Sequence, residues 1–400
     1  MINVAVYGYG TIGSGVVQVI DDNSEVIAER LGEQLNVKYI LDIRDFPGDK
    51  NEGKVVHDIN VILDDPEVSI VCETMVGDKP AYQYTKDALL KGKSVCTSNK
   101  VVVANHAPEL LKLAKENGCN YLFEASVGGG IPIIRPMNTS LAPEHIDKIM
   151  GILNGTTNYM LTKMADEGVA YDVVLKEAQD LGYAERNPEA DVEGYDPCRK
   201  IAILSSLMTG KNVNYEDIRT EGITKITPKD FEYAKKLGKS IKLLAIADNT
   251  GDELNAMVAP FMIGREHPLN GVNGVFNGVY VTGNMLDDVM FYGSGAGKLP
   301  TASAVVSDVI ECARNLDKAL PCVWSEETLK PGDFKNIKRQ FFVRVSMENR
   351  SVVLNQMGPI NEIRICDEEF GFVTASMTEE EFDAKVKKLS GVLSVIRVEG

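Results

Sequence analysis

Hydrophobic and polar positions in the first 130 residues switch repeatedly between two periods. INVAVY at 2–7 is a β-branched apolar run, the glycine-rich stretch GYGTIGSG follows from Gly8, and residues 16–20 resume at helical spacing. That order predicts a strand, a tight turn and a helix. The alternation continues through VKYIL at 37–41, SIVCET at 69–74, a helix over 81–90 closed near Gly92, SVCT at 94–97, a helix through 110–116 closed at Gly118, and NYLFEA at 120–125. Strands alternating with helices predict an α/β fold with a parallel, doubly wound sheet.

Beyond residue 131 the texture changes. Helical stretches at 159–167, 171–181 and 197–208 accompany strand-like runs at 146–153 and 275–282, which predicts a second, mixed α/β domain over 131–299. GSGAGKLP at 293–300 leads into a small-residue helix at 301–314 suited to packing back on the first sheet. The first domain is therefore read as 1–130, completed by 300–325. KPGD at 330–333 reads as a linker. After it come a strand (QFFVRVSM, 340–347), a helix (353–357), strands EIRIC (362–366) and FGFVTAS (370–376), a helix (379–389) and a strand (LSVIRV, 393–398). That order predicts a small βαββαβ domain over 335–400.

Composition narrows the function classes. The chain carries 58 acidic against 42 basic residues, a net charge of −16, and no run of Lys or Arg, which argues against nucleic acid as a partner. No stretch of 18 apolar residues and no basic start followed by an apolar run is present, so neither a membrane span nor a secretory leader is expected. The seven cysteines are scattered, odd in number and without a CxxC pair, which suits reduced thiols in the cytoplasm.

Gly8, Gly10 and Gly13 form a GxGxxG pattern, weak alone but here placed after a strand and at the opening of a helix. There the turn lets backbone approach a pyrophosphate while the helix N-terminus offers N–H donors. This is the pattern of a Rossmann-type domain binding a nicotinamide dinucleotide. An acid after the second strand accepts the ribose hydroxyls of NAD, whereas an arginine accommodates the phosphate of NADP. The chain has both, Asp42 and Arg44, so NADP or NAD remains open, with Arg44 tilting the reading toward NADP.

Five long stretches resemble the homoserine dehydrogenase family: TSNKVVVANH at Thr97, FEASVGGGIPIIRP at Phe123, GILNGTTNYMLTKM at Gly151, GYAERNPEADVEGYDPCRK at Gly182 and GSGAGKLPTASAVVSDV at Gly293. Together with the glycine turn they span about residues 1 to 315. The resemblance implies NAD(P)H-dependent interconversion of L-aspartate 4-semialdehyde and L-homoserine. Aldehyde reduction needs a hydride donor, a proton donor and a positive group beside the developing alkoxide, and lysine serves the last two roles. The family's reaction-centre lysines match Lys100, just after the strand 94–97, and Lys200, to which proton donation is chiefly assigned. Asp196 precedes Pro197, so it is placed to cap a helix, and a spacing of four puts it on one face with Lys200.

By the same resemblance, Glu185 and Asp191 bind the substrate, with Asn154, Gly155 and Thr156 closing the pocket. The cofactor set is Gly8, Gly10, Thr11, Ile12, Gly13, Arg44, Ser98, Lys100 and Gly297. Glu124 with the carbonyls of Val127, Gly129 and Ile131 matches the family's monovalent-cation loop, for sodium or potassium. The 131–299 domain is implied to serve catalysis and dimerisation, giving a homodimer or homotetramer. Arg186 and Asn187 depart from the family's usual proline and aspartate.

The 335–400 order resembles the ACT-type amino-acid-binding module through which threonine regulates many relatives. Its usual Arg-Pro-Gly-Val-Leu turn is here Asn349-Arg350-Ser351-Val352-Val353-Leu354, so weak or absent threonine control is expected. The alternative is a nicotinamide- or amino-acid-binding sensor without turnover, which the presence of both Lys100 and Lys200 opposes. The four histidines lie outside the motif cores, which disfavours Ser/His/Asp and Cys/His schemes.

Overall fold

Strands Ile2–Tyr7 (β1), Leu35–Leu41 (β2), Val55–Val56 (β3), Val68–Glu73 (β4), Ser94–Thr97 (β5) and Tyr121–Leu122 (β6) form a sheet in the order β3-β2-β1-β4-β5-β6. Every pairing in it is parallel. Chain order reverses between β1 and β4, the place where open α/β sheets hold their ligands. This computed structural model describes residues 1–251 and 253–399.

The sheet belongs to a first unit made of Met1–Glu144, Ala202–Asn214 and Gly293–Leu329. Val4, Val6, Ile70, Cys72 and Cys96 are buried together with Val305, Val309 and Cys312 of the helix Lys298–Arg314. The small residues of that helix allow a close approach: a Cβ on Gly15 of the helix Thr11–Asp22 would lie 3.0 Å from Ala302 Cβ. Residues 131–144, read from sequence as the start of a second domain, lie in this unit. Buried polar bonds hold them there. The Glu124 carboxylate accepts the N–H groups of Ile133, Ile134 and Arg135, and Arg135 pairs with Asp308 at 2.5 Å.

The second unit comprises His145–Ile201, Tyr215–Tyr292 and Lys330–Gly400. Its strands are Ile146–Ile152 (β7), Arg219–Thr220 (β8), Lys239–Asn249 (β9), Leu254–Gly264 (β10), Phe276–Gly283 (β11), Asp287–Ser294 (β12, whose last two residues belong to the first unit), Lys338–Ser346 (β13), Glu369–Val373 (β14), Met377–Thr378 (β15) and Val392–Val398 (β16). They form one sheet in the order β12-β11-β7-β9-β10-β16-β13-β14, with β8 on β10 and β15 on β13.

The C-terminal segment extends this sheet, because β16 runs parallel to β10 with Phe261 opposite Arg397. The expected element order is present except for EIRIC, which contributes only an isolated bridge from Ile363 to Gly371. The 330–333 segment lies against β10, its Gly332 N–H donating to the Leu254 carbonyl at 2.7 Å. Among the described residues no helix is long and apolar enough to cross a membrane.

Candidate functional site

The turn after β1 needs its glycines. Gly8 adopts φ +88°, and a Cβ on Gly13 would sit 1.8 Å from the Gly8 carbonyl oxygen. A Cβ on Gly10, in contrast, would meet nothing within 4 Å. Gly10 also starts the helix without a side-chain cap, so the helix start beside the exposed Thr11 and half-buried Ile12 is open with its dipole end uncapped, while Gly13 packs against the Gly8 carbonyl. That is the cradle a pyrophosphate fits.

Asp42 stands at the end of β2 and fastens the same turn. Its Oδ2 accepts the Tyr9 N–H at 2.8 Å, and both carboxylate oxygens accept from the Arg44 guanidinium. The Arg44 hydrogen bonds, helped by the Tyr9 N–H and opposed by partial burial, hold the Asp42 carboxyl down at about 2. Arg44 itself remains 58% exposed.

Two groups that sequence reasoning missed organise the neighbouring loops. Thr74 donates its hydroxyl to the carbonyls of Tyr7 and Gly8, tying β4 to the glycine turn. Glu73 is fully buried, accepting Thr97 Oγ1 at 2.6 Å and the Met75 N–H at 2.7 Å, and burial pushes its carboxyl up to about 7. Thr97 in turn accepts the Asn99 N–H, and Asn99 caps the helix Lys100–Glu116 by accepting from Val101 and Val102. Ser98 donates its N–H to the Glu73 carbonyl, and Lys100 opens the helix half-buried. A buried glutamate at a strand end beside a Thr-x-Asn turn was the signal available for Glu73.

The Glu124 loop packs on the 293–300 turn within the first unit. Gly130 N–H donates to the Ser294 carbonyl, and a Cβ on Gly129, at φ +55°, would lie 2.5 Å from the Gly295 oxygen. Gly297, at φ +123°, starts the helix Lys298–Arg314. Both Glu124 oxygens accept backbone N–H groups at the start of the short helix Ile134–Asn138, so its carboxylate is engaged within the protein. Burial raises its carboxyl above the usual range, and burial with Glu124 nearby pushes Asp308 up to about 7. Val127, Gly129 and Ile131 are buried, and their carbonyls accept no hydrogen bond among the described residues.

In the second unit, Asn154 follows β7 and caps the helix Gly155–Glu167, its Oδ1 accepting the Thr157 N–H at 2.9 Å. Its Nδ2 donates to Asp191 Oδ1 at 2.7 Å and to Asp196 Oδ2 at 2.9 Å. Lys200 Nζ donates to Asp196 Oδ2 and to the Leu153 carbonyl, each at 2.7 Å. Asp196 and Lys200 are both buried, and the spacing of four on the helix Tyr195–Thr209 puts them on one face as expected, where they pair. Asp196 lies inside the first turn of that helix rather than at its cap, and its carboxylate turns to Lys200 and Asn154 instead.

Gly155 has no room for a side chain, since a Cβ would lie 2.8 Å from the Val275 oxygen. Thr156 Oγ1 donates to the Tyr183 carbonyl at 2.6 Å, holding the Tyr183–Glu185 turn beside the helix start. Glu185 is exposed, and its carboxylate makes no hydrogen bond among the described residues. The structure thus gathers Asn154, Asp191, Asp196 and Lys200 into one hydrogen-bonded group. It places Gly155 and Thr156 at its edge and leaves Glu185 outside the bonded set. A buried lysine hydrogen-bonded to a carboxylate can donate a proton to, and stabilise negative charge on, an oxygen beside it.

Comparison with known proteins agrees with this chemistry. The family model described as "Homoserine dehydrogenase, NAD binding domain" matches residues 8–124, and the model described as "Homoserine dehydrogenase" matches 132–310. The chain is 40% identical over 366 residues to the homoserine dehydrogenase of Bacillus subtilis, covering 90% of this chain and 84% of that one. A homoserine dehydrogenase from Thiobacillus denitrificans superposes with a TM-score of 0.90 at 32% identity, covering 100% of this chain and 98% of that one. A hyperthermophilic archaeal homoserine dehydrogenase mutant in complex with NADPH gives a TM-score of 0.67 at 29% identity, covering 78% and 97%. These matches do not favour the sensor reading and support a nicotinamide cofactor. The chain belongs to the homoserine dehydrogenase family of oxidoreductases.

Proposed function

We propose that this chain interconverts L-aspartate 4-semialdehyde and L-homoserine, with NADP favoured over NAD, in the synthesis of threonine, methionine and isoleucine. The observation that carries the reading is the buried Lys200–Asp196 pair bridged through Asn154 to Asp191. When bound at the glycine turn, the nicotinamide dinucleotide supplies hydride to the aldehyde carbon.

Lys200 gives its ammonium proton to the aldehyde oxygen as the carbonyl π bond breaks, and the neutral amine regains a proton from water. Asp196 accepts from Lys200 Nζ at 2.7 Å and fixes its direction. Lys100 is the second lysine assigned to the reaction centre. Asp191 and Glu185 receive the substrate ammonium, and Gly155 and Thr156 close the pocket around it. Ser98, Gly297 and the backbone at Thr11 and Ile12 complete the cofactor set.

Arg44 supports the NADP preference, because the Asp42 oxygens that would accept ribose hydroxyls are already engaged while Arg44 is exposed. The buried, unaccepted carbonyls of Val127, Gly129 and Ile131 fit a sodium or potassium ion, with the Glu124 carbonyl as a fourth ligand, since hard oxygens suit such ions and buried bare carbonyls are costly. A homodimer or homotetramer is supported by the sheet-edge strand β12 and its surroundings, where Met285, Leu286 and Tyr292 are exposed. Seven free thiols suit a cytoplasmic location.

Mixing the protein with L-aspartate 4-semialdehyde and NADPH or NADH, and following absorbance of the reduced cofactor, tests the reaction. Loss of absorbance that depends on the aldehyde, with homoserine as product, is expected. No turnover with either cofactor would remove it.

A further inference from the structure

The C-terminal strand connects to the substrate group through a chain of contacts within the second unit. Arg397 of β16 has a 9% exposed side chain. Its Nη1 and Nη2 bond the two Glu221 oxygens at 2.7 and 2.9 Å, and the same guanidinium bonds both oxygens of Glu379, a residue 2% exposed. Arg219 closes the cluster by bonding Glu379 and Glu221.

Glu221 continues into a segment with no slack. Its N–H donates to the Val258 carbonyl at 2.7 Å, and the fully buried Ile223 donates its N–H to the Val192 carbonyl at 2.8 Å. Between them, a Cβ on Gly222 would lie 2.2 Å from the Val192 oxygen and 2.5 Å from Glu193 Cα. Val192 is the residue after Asp191 on the one-turn helix Glu189–Val192, whose Asp191 holds Asn154 and, through it, the Asp196–Lys200 pair.

We infer that Arg397 and Glu221 are positioning residues for the substrate group: the bidentate pair fixes the 219–223 segment, that segment fixes the backbone at Val192, and the backbone sets the direction of the Asp191 carboxylate. A guanidinium fork bonding a carboxylate through two parallel hydrogen bonds constrains direction as well as distance, which a single-pronged cation does not. The C-terminal segment is thereby a built-in support of the amino-acid site, whether or not it binds an effector. The inference rests on the proposed role of Asp191, and its test separates the two.

Full-length Glu221→Gln, Arg397→Lys, Asp191→Asn and the double variant Glu221→Gln/Asp191→Asn are assayed for homoserine KM, nucleotide KM and kcat, with thermal melting alongside. The Glu221 side chain is 38% exposed and glutamine keeps its shape, so that variant is expected to fold even where Arg397→Lys is less stable. Glu221→Gln is expected to raise homoserine KM by about fivefold or more with kcat and nucleotide KM within about twofold. Arg397→Lys is expected to give a smaller rise of the same kind.

The double variant is expected to be no worse than Asp191→Asn alone, because residues acting through one another are not additive. Unchanged homoserine KM in Glu221→Gln and Arg397→Lys, with a raised KM in Asp191→Asn, overturns the positioning role and leaves the site assignment standing. Unchanged KM in Asp191→Asn overturns the site assignment and this inference with it. A parallel rise in both KM values with a lowered melting temperature reduces the cluster to a structural tie and also overturns the inference.

Discussion

The Arg44 guanidinium lies across the Asp42 carboxylate, Nε 2.9 Å from Oδ1 and Nη2 2.9 Å from Oδ2, while Asp42 also holds the Tyr9 N–H of the glycine turn. One carboxylate therefore serves the turn and the arginine together. Arg44→Ala is expected to raise the KM for NADPH about tenfold or more and that for NADH much less, since a phosphate gains charge-assisted bonds that a hydroxyl does not. Equal changes with the two cofactors would show that Arg44 does not read the phosphate.

Glu73 gives a pH signature. Burial raises its folded-state carboxyl to about 7, so between the ordinary glutamate range and that value the folded chain holds a proton that the unfolded chain has released. Its contribution to stability is therefore fully present at low pH and declines as pH rises toward 7. Melting temperatures of the parent chain and Glu73→Gln across this range should show the parent's relative advantage shrinking with rising pH and levelling above about 7. A difference that stays flat, or grows with pH, contradicts the burial of a carboxyl held by hydrogen bonds without a counter-charge there.

Much of the first unit was legible because its signals are local. The strand, glycine turn and helix at 2–20, the helix Ala81–Leu90 and the strand Ser94–Thr97 fall where the pattern put them. The placing of Asp196 and Lys200 on one face followed from helical spacing alone. The strands β9 and β10 were not legible, and they are the longest in the chain. β10 is buried at every position, so it has no alternation to separate it from a buried helix. EIRIC looked like a strand from composition, yet only Ile363 finds a partner, which is a matter of tertiary pairing. Glu73, Thr74 and the Arg397–Glu221 tie depend on residues far apart in sequence, and no local periodicity carries them.

Threonine is expected to inhibit weakly or not at all. Where an effector carboxylate would meet the start of the helix Arg350–Met357, Asn349 Nδ2 already donates to Ser346 Oγ at 2.8 Å and its Oδ1 accepts from Ser390. A Cβ on Gly391 would lie 2.4 Å from that Nδ2, so Gly391 packs closely against Asn349 there. Titration of threonine into the homoserine assay decides the point. Half-inhibition at submillimolar threonine that disappears on deleting residues 335–400 would contradict it.

Exchange of sodium and potassium for choline at matched ionic strength should lower the melting temperature by a few degrees, reversed by adding either ion back, because an ion bound only by the folded loop stabilises it by mass action. Identical melting in all three salts would mean that the carbonyls of Val127, Gly129 and Ile131 hold no cation.

The most direct measurement is the single-turnover rate of reduced-nicotinamide oxidation with L-aspartate 4-semialdehyde in the parent chain and in Lys200→Ala. Nucleotide binding is checked by fluorescence, since the glycine turn lies in the first unit and should be unaffected. If Lys200, held by Asp196 and the Leu153 carbonyl, donates the proton, removing it should slow the step by a factor of about one hundred or more with nucleotide binding retained. A folded, nucleotide-binding Lys200→Ala chain that turns over within about twofold of the parent would contradict proton transfer from Lys200.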